Sequence, residues 1–184
     1  WKGQFGADYT ERAKVDILLR AKSFSKILRD LYVYQALEVG CGKGDNILAL
    51  EEQIPAIHGI DPNSYAVELA QVSGLRVQLG DCFKIPFPDL TFDLVFTAGV
   101  LMHVAPPDLF MAIAEMCRVC SHYLLVIEYS TTTETLIDYR GHKNLLWKRD
   151  YRAVMRTPPI RSGFLSKTDS GFDDCSYCLW EVAA

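Results

Sequence analysis

A glycine-rich turn is the part of this sequence whose residue types point most directly to chemistry. The run Ala36–Asn46 is ALEVGCGKGDN, in which a short apolar segment stops at three glycines in alternate positions, Gly40, Gly42 and Gly44. Glycines at this spacing allow a tight turn and leave bare main chain against a ligand. A turn of this kind after a first β-strand is where open α/β sheets hold nucleotide-like ligands.

The carboxylates around the turn indicate the charge of that ligand. In the dinucleotide fingerprint G-x-G-x-x-G/A, a small third residue packs beside the pyrophosphate. Counted from Gly40, the third position is Asp45, and Glu38 adds a second carboxylate at the end of the strand. Two carboxylates disfavour a phosphate-bearing ligand, so a dehydrogenase is a distant alternative. A cationic ligand with an amino group and a sulfonium fits this turn better.

Strands and helices alternate around the turn, and this pattern predicts the fold. Five apolar segments are predicted as β-strands: Gln35–Val39, Ala56–Asp61, Leu75–Leu79, Phe92–Gly99 and Tyr123–Ile127. Helices are predicted between them at Asp45–Glu52, at Tyr65–Val72 and from Pro106 to about Cys120. This alternation is typical of an α/β protein, in which helices cover both faces of a parallel sheet.

The two ends of the chain differ from this alternation. Asp8 and Glu11 have the spacing of a capping box, which predicts one helix from Asp8 to about Asp30. In the tail, Lys148–Met155 is predicted as a helix. Two further strands are predicted to add an antiparallel hairpin to the sheet edge, at Ile160–Leu165 and Cys175–Val182.

Composition excludes several classes of protein. The chain has 184 residues, 49% hydrophobic and 23% charged, which is ordinary for one globular domain. A net charge of −4 disfavours a nucleic-acid partner. No apolar run approaches the roughly 20 residues that cross a membrane, and no signal-peptide pattern is present. We therefore expect a cytoplasmic protein, although the chain begins at Trp1 and its natural start is left open.

The cysteines do not predict a metal site. Six are present, and four of them form two C-x-x-C pairs, Cys117 with Cys120 and Cys175 with Cys178. The second pair lies in an alternating segment, so a strand there would place its two thiols on opposite faces. We expect six reduced thiols and no bound metal.

The glycine turn and three later segments together resemble the class I S-adenosylmethionine-dependent methyltransferases. Glu38–Gly44 resembles their motif I, and Phe92–Thr97 their fourth-strand motif beside the methionine moiety. Asp61 ends the second strand, where the family's acidic residue holds both ribose hydroxyls. Asp81 and Cys82 end the third strand, where the family cradles the adenine. The alternatives from local sequence are that Asp61 caps a helix and that Asp81 forms an Asx-turn.

The resemblance implies a Rossmann-like three-layer sandwich with a mostly parallel seven-stranded sheet and a C-terminal antiparallel hairpin. It also implies S-adenosylmethionine as cofactor and S-adenosylhomocysteine as product. The implied cofactor residues are Tyr9, Arg12, Glu38, Gly40, Cys41, Gly42, Gly44, Asp61, Pro62, Asp81, Cys82, Thr97, Ala98 and Gly99. We expect one domain over 1–184: a lid segment and helix at 1–30, a cofactor-binding core at 31–130 and a substrate side at 131–184. The alternative for the aromatic start is packing on the sheet edge.

A narrower resemblance concerns the acceptor. Trp1–Tyr9, Thr97–Val104, Tyr139–His142 and Lys148–Asp150 are similar to methyltransferases associated with pseudaminic acid biosynthesis, as is the pair Glu128-Tyr129. This subgroup commonly has Asn-Ile where the present chain has Gly42-Lys43. The resemblance implies a sugar or sugar-nucleotide acceptor of surface-glycan (nonulosonic acid) biosynthesis. The alternatives are another small metabolite as acceptor, or a catalytically silent cofactor-binding partner protein.

The remaining candidates are residues that would act on the acceptor. Methyl transfer is an in-line displacement, so the protein aligns the reactants, excludes water and supplies a base where the acceptor must lose a proton. His103 is the first base candidate, His142 the second, and Glu128 is a candidate to orient the acceptor. The alternatives are a packing or capping role for His103, a surface position for His142 and a loop cap for Glu128.

A local basic patch predicts a small-molecule acceptor that carries a carboxylate or phosphate, because guanidinium groups suit both anions. The patch consists of Arg140, Lys148 and Arg149. The substrate-binding candidates are Tyr129, Tyr139, Arg140 and Arg149. The alternative is a solvated face whose cations pair with Glu134 and Asp138.

Overall fold

The computed structural model describes residues 3–12 and 14–182. Its helices are α1 Gln4–Arg12, α2 Ile17–Ile27, α3 Asp45–Leu50, α4 Ser64–Val72 and α5 Leu109–Val119. Its strands are β1 Gln35–Val39, β2 Ala56–Asp61, β3 Val77–Leu79, β4 Phe92–Ala98, β5 Cys120–Glu128, β6 Thr135–Tyr139, β7 His142–Lys148, β8 Arg161–Leu165 and β9 Cys175–Glu181. Short 3₁₀ helices lie at Leu101–His103, Pro106–Asp108 and Tyr151–Ala153.

Seven strands form one sheet in the order β3-β2-β1-β4-β5-β9-β8. The first five of these pair in parallel, whereas β9 is antiparallel to both β5 and β8. The predicted α/β fold, with a mostly parallel sheet and a C-terminal antiparallel hairpin, is therefore confirmed. Because the carboxyl ends of the parallel strands meet at one edge, the residues that follow β1, β2 and β4 are brought together.

Apolar side chains form a buried cluster on each face of the sheet. Successive residues of a strand point to opposite faces, so Leu94 and Phe96 enter one cluster and Val95 the other. Cys175 and Cys178 also lie in different clusters, as the alternating pattern predicted. All six cysteines are free thiols. Within the described residues, no cluster of His, Cys, Asp and Glu suits a metal ion, and no helix is long and apolar enough to cross a membrane.

The N-terminal prediction of one helix from Asp8 to Asp30 is wrong. Helix α1 ends at Arg12, and α2 begins at Ile17 with Asp16 as its N-cap. The Asp16 carboxylate accepts a hydrogen bond from the backbone N–H of Leu19 at 3.0 Å, which satisfies one of the unpaired donors of the first turn. Asp8 lies inside α1 and accepts only a local bond from the Gln4 side chain at 2.7 Å.

The tail prediction is wrong at Lys148–Met155, where the chain leaves β7 and forms the 3₁₀ helix Tyr151–Ala153 instead of an α-helix.

The β6–β7 hairpin was not predicted. Its turn residues Arg140 and Gly141 both have positive φ, 52° and 79°, which is the geometry of tight hairpin turns. Gly141 was the local signal, but arginine at the preceding position is unusual in such a turn, so the sequence pattern was weak.

The two possible caps give a direct test of the N-terminal correction. Replacing Asp16 with Ala should lower the free energy of unfolding by about 1 kcal/mol, because α2 loses its N-cap bond. Replacing Asp8 with Ala removes an exposed interaction within α1 and should change it by less than about 0.5 kcal/mol. Urea unfolding followed by circular dichroism measures both, and equal losses would contradict the assignment of the cap to Asp16.

Candidate functional site

A cavity of about 670 Å³ lies where β1, β2 and β4 end. Its wall includes nine of the residues predicted for the cofactor: Tyr9, Gly40, Gly42, Asp61, Pro62, Asp81, Cys82, Ala98 and Gly99. They come from α1 and from the segments that follow four different strands. The topology of the sheet therefore assembles most of the predicted set at one place.

The glycine turn forms one wall because its backbone adopts conformations that other residues rarely accept. Gly40, Gly42 and Gly44 have φ values of 78°, 54° and 89°. A Cβ atom on Gly40 would lie 2.3 Å from a methyl group of Val100. The N–H groups of Gly40 and Cys41 both donate to the Ile60 carbonyl, at 2.8 and 3.0 Å. The turn is thereby tied to the end of β2, and its open main chain faces the cavity.

Asp61 links the turn to the start of α4. Its Oδ2 accepts from Gly42 N at 2.8 Å and its Oδ1 from Asn63 N at 2.8 Å. Burial raises the pKa of this carboxyl, and the two backbone bonds partly offset that effect. Asn63, not Asp61, caps α4 by accepting from Tyr65 N. Each Asp61 oxygen keeps a second lone pair, so the carboxylate can still accept from a pair of hydroxyl groups.

Asp81 forms the Asx-turn that local sequence offered as the alternative, and it also lines the cavity. Its Oδ1 accepts from Phe83 N at 2.9 Å and from Lys84 N at 3.2 Å. These bonds use one oxygen, so Oδ2 can accept from an amino group in the cavity. The two interpretations of Asp81 are therefore compatible.

Glu38, Cys41, Gly44 and Thr97 are not part of the cavity wall. Glu38 is buried beneath the turn, where its Oε1 accepts from Asn46 Nδ2 at 2.6 Å. Burial raises the pKa of Glu38 to about 8, which shifts this carboxyl toward its protonated form near neutral pH. Among the described residues its Oε2 has no hydrogen-bond partner. Glu38 is therefore not the permanent negative charge that the sequence pattern predicted.

A second cavity of about 290 Å³ adjoins the first, and Tyr9, Ala98 and Gly99 line both. Five residues with predicted roles also line the second cavity, Arg12, Glu128, Tyr129, Tyr139 and Arg140. Tyr129 donates to Asp173 at 2.9 Å, and the Arg140 guanidinium lies 5.7 Å from the centre of the Tyr139 ring. The predicted substrate residues, apart from Arg149, are thus brought together beside the first cavity.

Arg149 is buried and serves the fold, so the prediction that it binds substrate is wrong. Its guanidinium donates to the Leu101 carbonyl at 2.9 Å, to the Val104 carbonyl at 2.8 Å and to the Glu134 carboxylate at 2.8 Å. The pairing with Glu134 that was considered as the alternative is confirmed. Because Arg149 is buried, bonds to the protein through all three guanidinium nitrogens and lines neither cavity, it is not placed to bind an acceptor.

Glu128 caps the turn that follows β4. Its two oxygens accept from the backbone N–H groups of Val100, Leu101 and Met102, at 2.8, 2.8 and 3.2 Å. Burial raises its pKa to about 7, and the three backbone bonds oppose that shift. The carboxylate is thus committed to main-chain groups, which favours the loop-cap alternative over the predicted role in orienting an acceptor.

His103 lies in the wall of the first cavity, and its Nδ1 has a defined hydrogen-bond partner. Nδ1 is hydrogen-bonded to the Leu145 carbonyl, which can only accept, so Nδ1 carries the proton. In the neutral ring Nε2 is then an acceptor. Burial lowers the pKa of His103 to about 4, so the ring is neutral near pH 7. The ring therefore presents an unprotonated Nε2 near pH 7, as a general base requires, but its low pKa makes it a weaker base than an ordinary histidine.

His142, the second base candidate, is not among the residues that line either cavity. It is exposed at the start of β7, where its ring meets the edge of Phe5 with 5.2 Å between ring centres. The surface alternative fits His142 better, and its contact joins the hairpin to α1.

Helix α1 forms part of the wall of the first cavity, and the lid role predicted for this segment stays a prediction. Gly6, Tyr9 and Thr10 face the cavity, and Asn63 donates from its side chain to the Thr10 hydroxyl at 3.2 Å. Tyr65 donates to the Glu11 carboxylate on the outer side. Trp1 and Lys2 of the predicted segment lie outside the described residues.

Arg20 and Lys14 line the second cavity and were missed from the sequence. The Arg20 guanidinium lies 4.4 Å from the centre of the Phe172 ring and donates to the Gly171 carbonyl at 2.9 Å and to Asn46 Oδ1 at 2.5 Å. In the sequence both residues look like ordinary charges near a helix start. No local signal indicated that α2 turns Arg20 inward.

In comparisons with known proteins, the central part of the chain matches one family model. Residues 37–123, just under half of the chain, match the family described as methyltransferase domain. An uncharacterized methyltransferase of Bacillus subtilis, YcgJ, is 28% identical over 123 residues, which are 61% of this chain and 48% of that protein. The chain spans about half the length of the curated relatives it matches.

Solved structures extend the likeness to the whole fold. A Burkholderia thailandensis 1,6-didemethyltoxoflavin N1-methyltransferase with bound S-adenosylhomocysteine has a TM-score of 0.71 at 15% identity, covering 98% of this chain and 88% of that one. CalS10, an S-adenosylmethionine-bound amino pentose methyltransferase from Micromonospora echinaspora, has a TM-score of 0.70 at 15% identity, covering 100% and 98%. The chain therefore has the Rossmann-like fold of these methyltransferases, and its central segment is similar to the methyltransferase domain family.

Proposed function

We propose that this protein transfers the methyl group of S-adenosylmethionine to a small-molecule acceptor. The observation that carries the proposal is the pair of adjoining cavities whose common border is Tyr9, Ala98 and Gly99. The larger cavity has the volume and polar groups for the donor, and the smaller one those for an acceptor. A nucleophile in the second cavity would meet the methyl group at this border, which is the alignment an in-line displacement requires.

The first cavity fits the donor group by group. Asp61 can accept from two ribose hydroxyls, Asp81 from the adenine amino group, and the turn at Gly40 leaves room for the methionine part. Beneath the turn, Oε2 of Glu38 has no partner among the described residues, and Glu38 would be negatively charged when the cationic end of the donor lowers its pKa. When bound, the donor supplies a methyl group on a positive sulfur, which leaves as a neutral thioether.

Two elements of the chain then promote the transfer. His103 lines the first cavity, and its ring centre lies 5.4 Å from that of Tyr139, which lines the second, so Nε2 of His103 is the atom that would take the acceptor's proton. Helix α1 covers the larger cavity and excludes water from it.

The second cavity supports an anionic acceptor the size of a single ring. Arg12, Lys14, Arg20 and Arg140 line it, whereas its acidic residues are Asp173 and the backbone-bound Glu128. Aromatic side chains provide flat walls for a ring: Tyr9, Tyr129, Tyr139 and Phe172. The backbone of Arg140 is in the left-handed region, with φ of 52°. This conformation costs an L-residue about 1–2 kcal/mol. We propose that this guanidinium binds a carboxylate or phosphate of the acceptor.

A sugar derivative of surface-glycan (nonulosonic acid) biosynthesis is the specific acceptor we propose, on the basis of the sequence resemblance to the pseudaminic acid-associated enzymes. The proposal includes a cytoplasmic location and no nucleic-acid partner, the latter supported by the net charge of −4. Another anionic metabolite of similar size is the second candidate, supported by the same cavity. A catalytically silent binding protein would show donor affinity without turnover on any member of an acceptor panel.

Donor binding is tested with S-adenosylhomocysteine in a calorimeter. Replacing Asp61 with Asn should weaken its affinity about 10- to 100-fold, because charge-assisted bonds to two hydroxyls are lost. Replacing Asp45 with Asn gives the matched control, since this carboxylate is near the turn but outside the cavity wall, and it should change affinity less than about threefold. Binding of NAD without binding of S-adenosylhomocysteine would overturn the proposal.

The pH dependence of stability tests the burial of neutral His103. Its pKa is about 4 in the folded protein and about 6.5 in the unfolded chain, so the unfolded state binds the proton first. The stabilising contribution is therefore complete above about pH 6.5 and is lost as the pH falls to about 4. The His103→Asn protein lacks this component. Urea unfolding at a series of pH values should show a steeper loss for the wild type, and equal slopes would rule out a buried neutral ring.

The role of Arg140 is tested by turnover on single-ring sugar acids, sugar nucleotides and aromatic acids with labelled donor. Replacing Arg140 with Asn removes the charge but keeps a residue that tolerates positive φ. For the acceptor that is methylated, KM should rise about tenfold with kcat little changed, because a binding contact is lost. Arg152, paired with Asp150 on the surface, gives a charge-matched control when replaced by Asn. An unchanged KM in the Arg140 variant would contradict the assignment.

A further inference from the structure

The β6–β7 hairpin contains an irregularity beside His103. Ile137 pairs with Leu146 and Tyr139 pairs with His142. Between these two pairs β6 has a single residue, Asp138, whereas β7 has three, at 143–145. The extra residues form a bulge, and bulges locally rotate the chain and re-aim the groups they carry.

The carbonyl of the last bulge residue, Leu145, is the group that bonds to Nδ1 of His103. His103 ends the 3₁₀ helix Leu101–His103, which packs against β7. A carbonyl oxygen only accepts, so this contact selects the tautomer with the proton on Nδ1. The bulge therefore favours the tautomer in which Nε2 of His103 can accept a proton.

Asn144 has the backbone conformation that forms the bulge. Its φ is 59°, in the left-handed region, where asparagine is several-fold enriched among non-glycine residues. Its side chain is exposed, so its contribution to the hairpin is through the main chain. A β-branched residue at this position would be strained in the left-handed region and would favour a regular strand.

We propose that Asn144 is a positioning residue for His103: its left-handed backbone directs the Leu145 carbonyl to Nδ1 and so keeps Nε2 as the acceptor. The catalytic consequence rests on the proposed function, whereas the tautomer itself does not. Nothing else in the hairpin needs to contact the donor or the acceptor for this effect. The role of β7 is then to keep the ring proton of His103 on Nδ1, through the Leu145 carbonyl.

The tautomer is measured by nuclear magnetic resonance on the full chain with ¹⁵N-labelled histidine. The buried Nδ1–H of His103 should give a proton signal, which is assigned among the four histidines by its loss in His103→Gln. The signal should persist in Asn144→Gly, because glycine accepts positive φ. It should weaken in Asn144→Ala and be lost in Asn144→Val, where Nε2 becomes partly protonated.

The matched control is Lys143→Val, which places the same side chain at the preceding exposed bulge residue, where φ is not positive. It should keep the Nδ1–H signal. Persistence of the signal in both Asn144→Ala and Asn144→Val, or its equal loss in Lys143→Val, would overturn the proposal. The graded series keeps the test decisive if the valine variant is poorly folded.

A second readout separates this inference from the proposed function. S-adenosylhomocysteine affinity should be the same in Asn144→Val as in the wild type, while kcat with the identified acceptor should fall about tenfold or more, because a correctly placed base contributes rate. A lowered affinity with an unchanged kcat would contradict a positioning role. If the wild type neither binds the homocysteine compound nor turns over, the proposed function fails, and the tautomer series still decides the inference.

Discussion

A buried carboxylate that accepts three successive backbone N–H groups determines the shape of this site. The segment after β4 leaves the sheet in the protein interior, where unpaired main-chain groups would be costly. Glu128 satisfies the donors of Val100, Leu101 and Met102, and Arg149 satisfies the carbonyls of Leu101 and Val104. Two side chains of opposite charge thus pair both kinds of backbone group in one short segment. Because that segment carries His103 and borders both cavities, their separation depends on these bonds.

Hydrogen bonding differs between the two buried glutamates of the site. Burial raises the pKa of Glu128, whose two oxygens are both paired with backbone N–H groups. Glu38 has one partner, Asn46, and an orphaned oxygen, and its pKa is raised to about 8. Both oxygens of Glu128 thus have hydrogen-bond partners. Oε2 of Glu38 has none among the described residues, and a cation at the turn would lower the pKa of Glu38 and pair with this oxygen.

The sequence was informative where structure depends on local signals. Strand and helix alternation predicted the sheet, and the strand ends carried Asp61 and Asp81 to the cavity they now line. Prediction from sequence failed for side chains that bond to main-chain groups distant in the sequence. Arg149 bonds to carbonyls 45 and 48 residues away, and nothing in its neighbours distinguishes a buried guanidinium from an exposed one. The inward direction of Arg20 depends in the same way on a Gly171 carbonyl 151 residues distant.

Helix α1 forms part of the wall of the larger cavity with little apolar burial of its own, since its buried residues are Gly6 and Thr10. Short helices gain most of their stability from packing, so α1 can detach at a small fraction of the cost of unfolding the sheet. Local opening of α1 would leave the strands undeformed. The fold thus joins a stable sheet to a weakly held helix in the wall of one cavity.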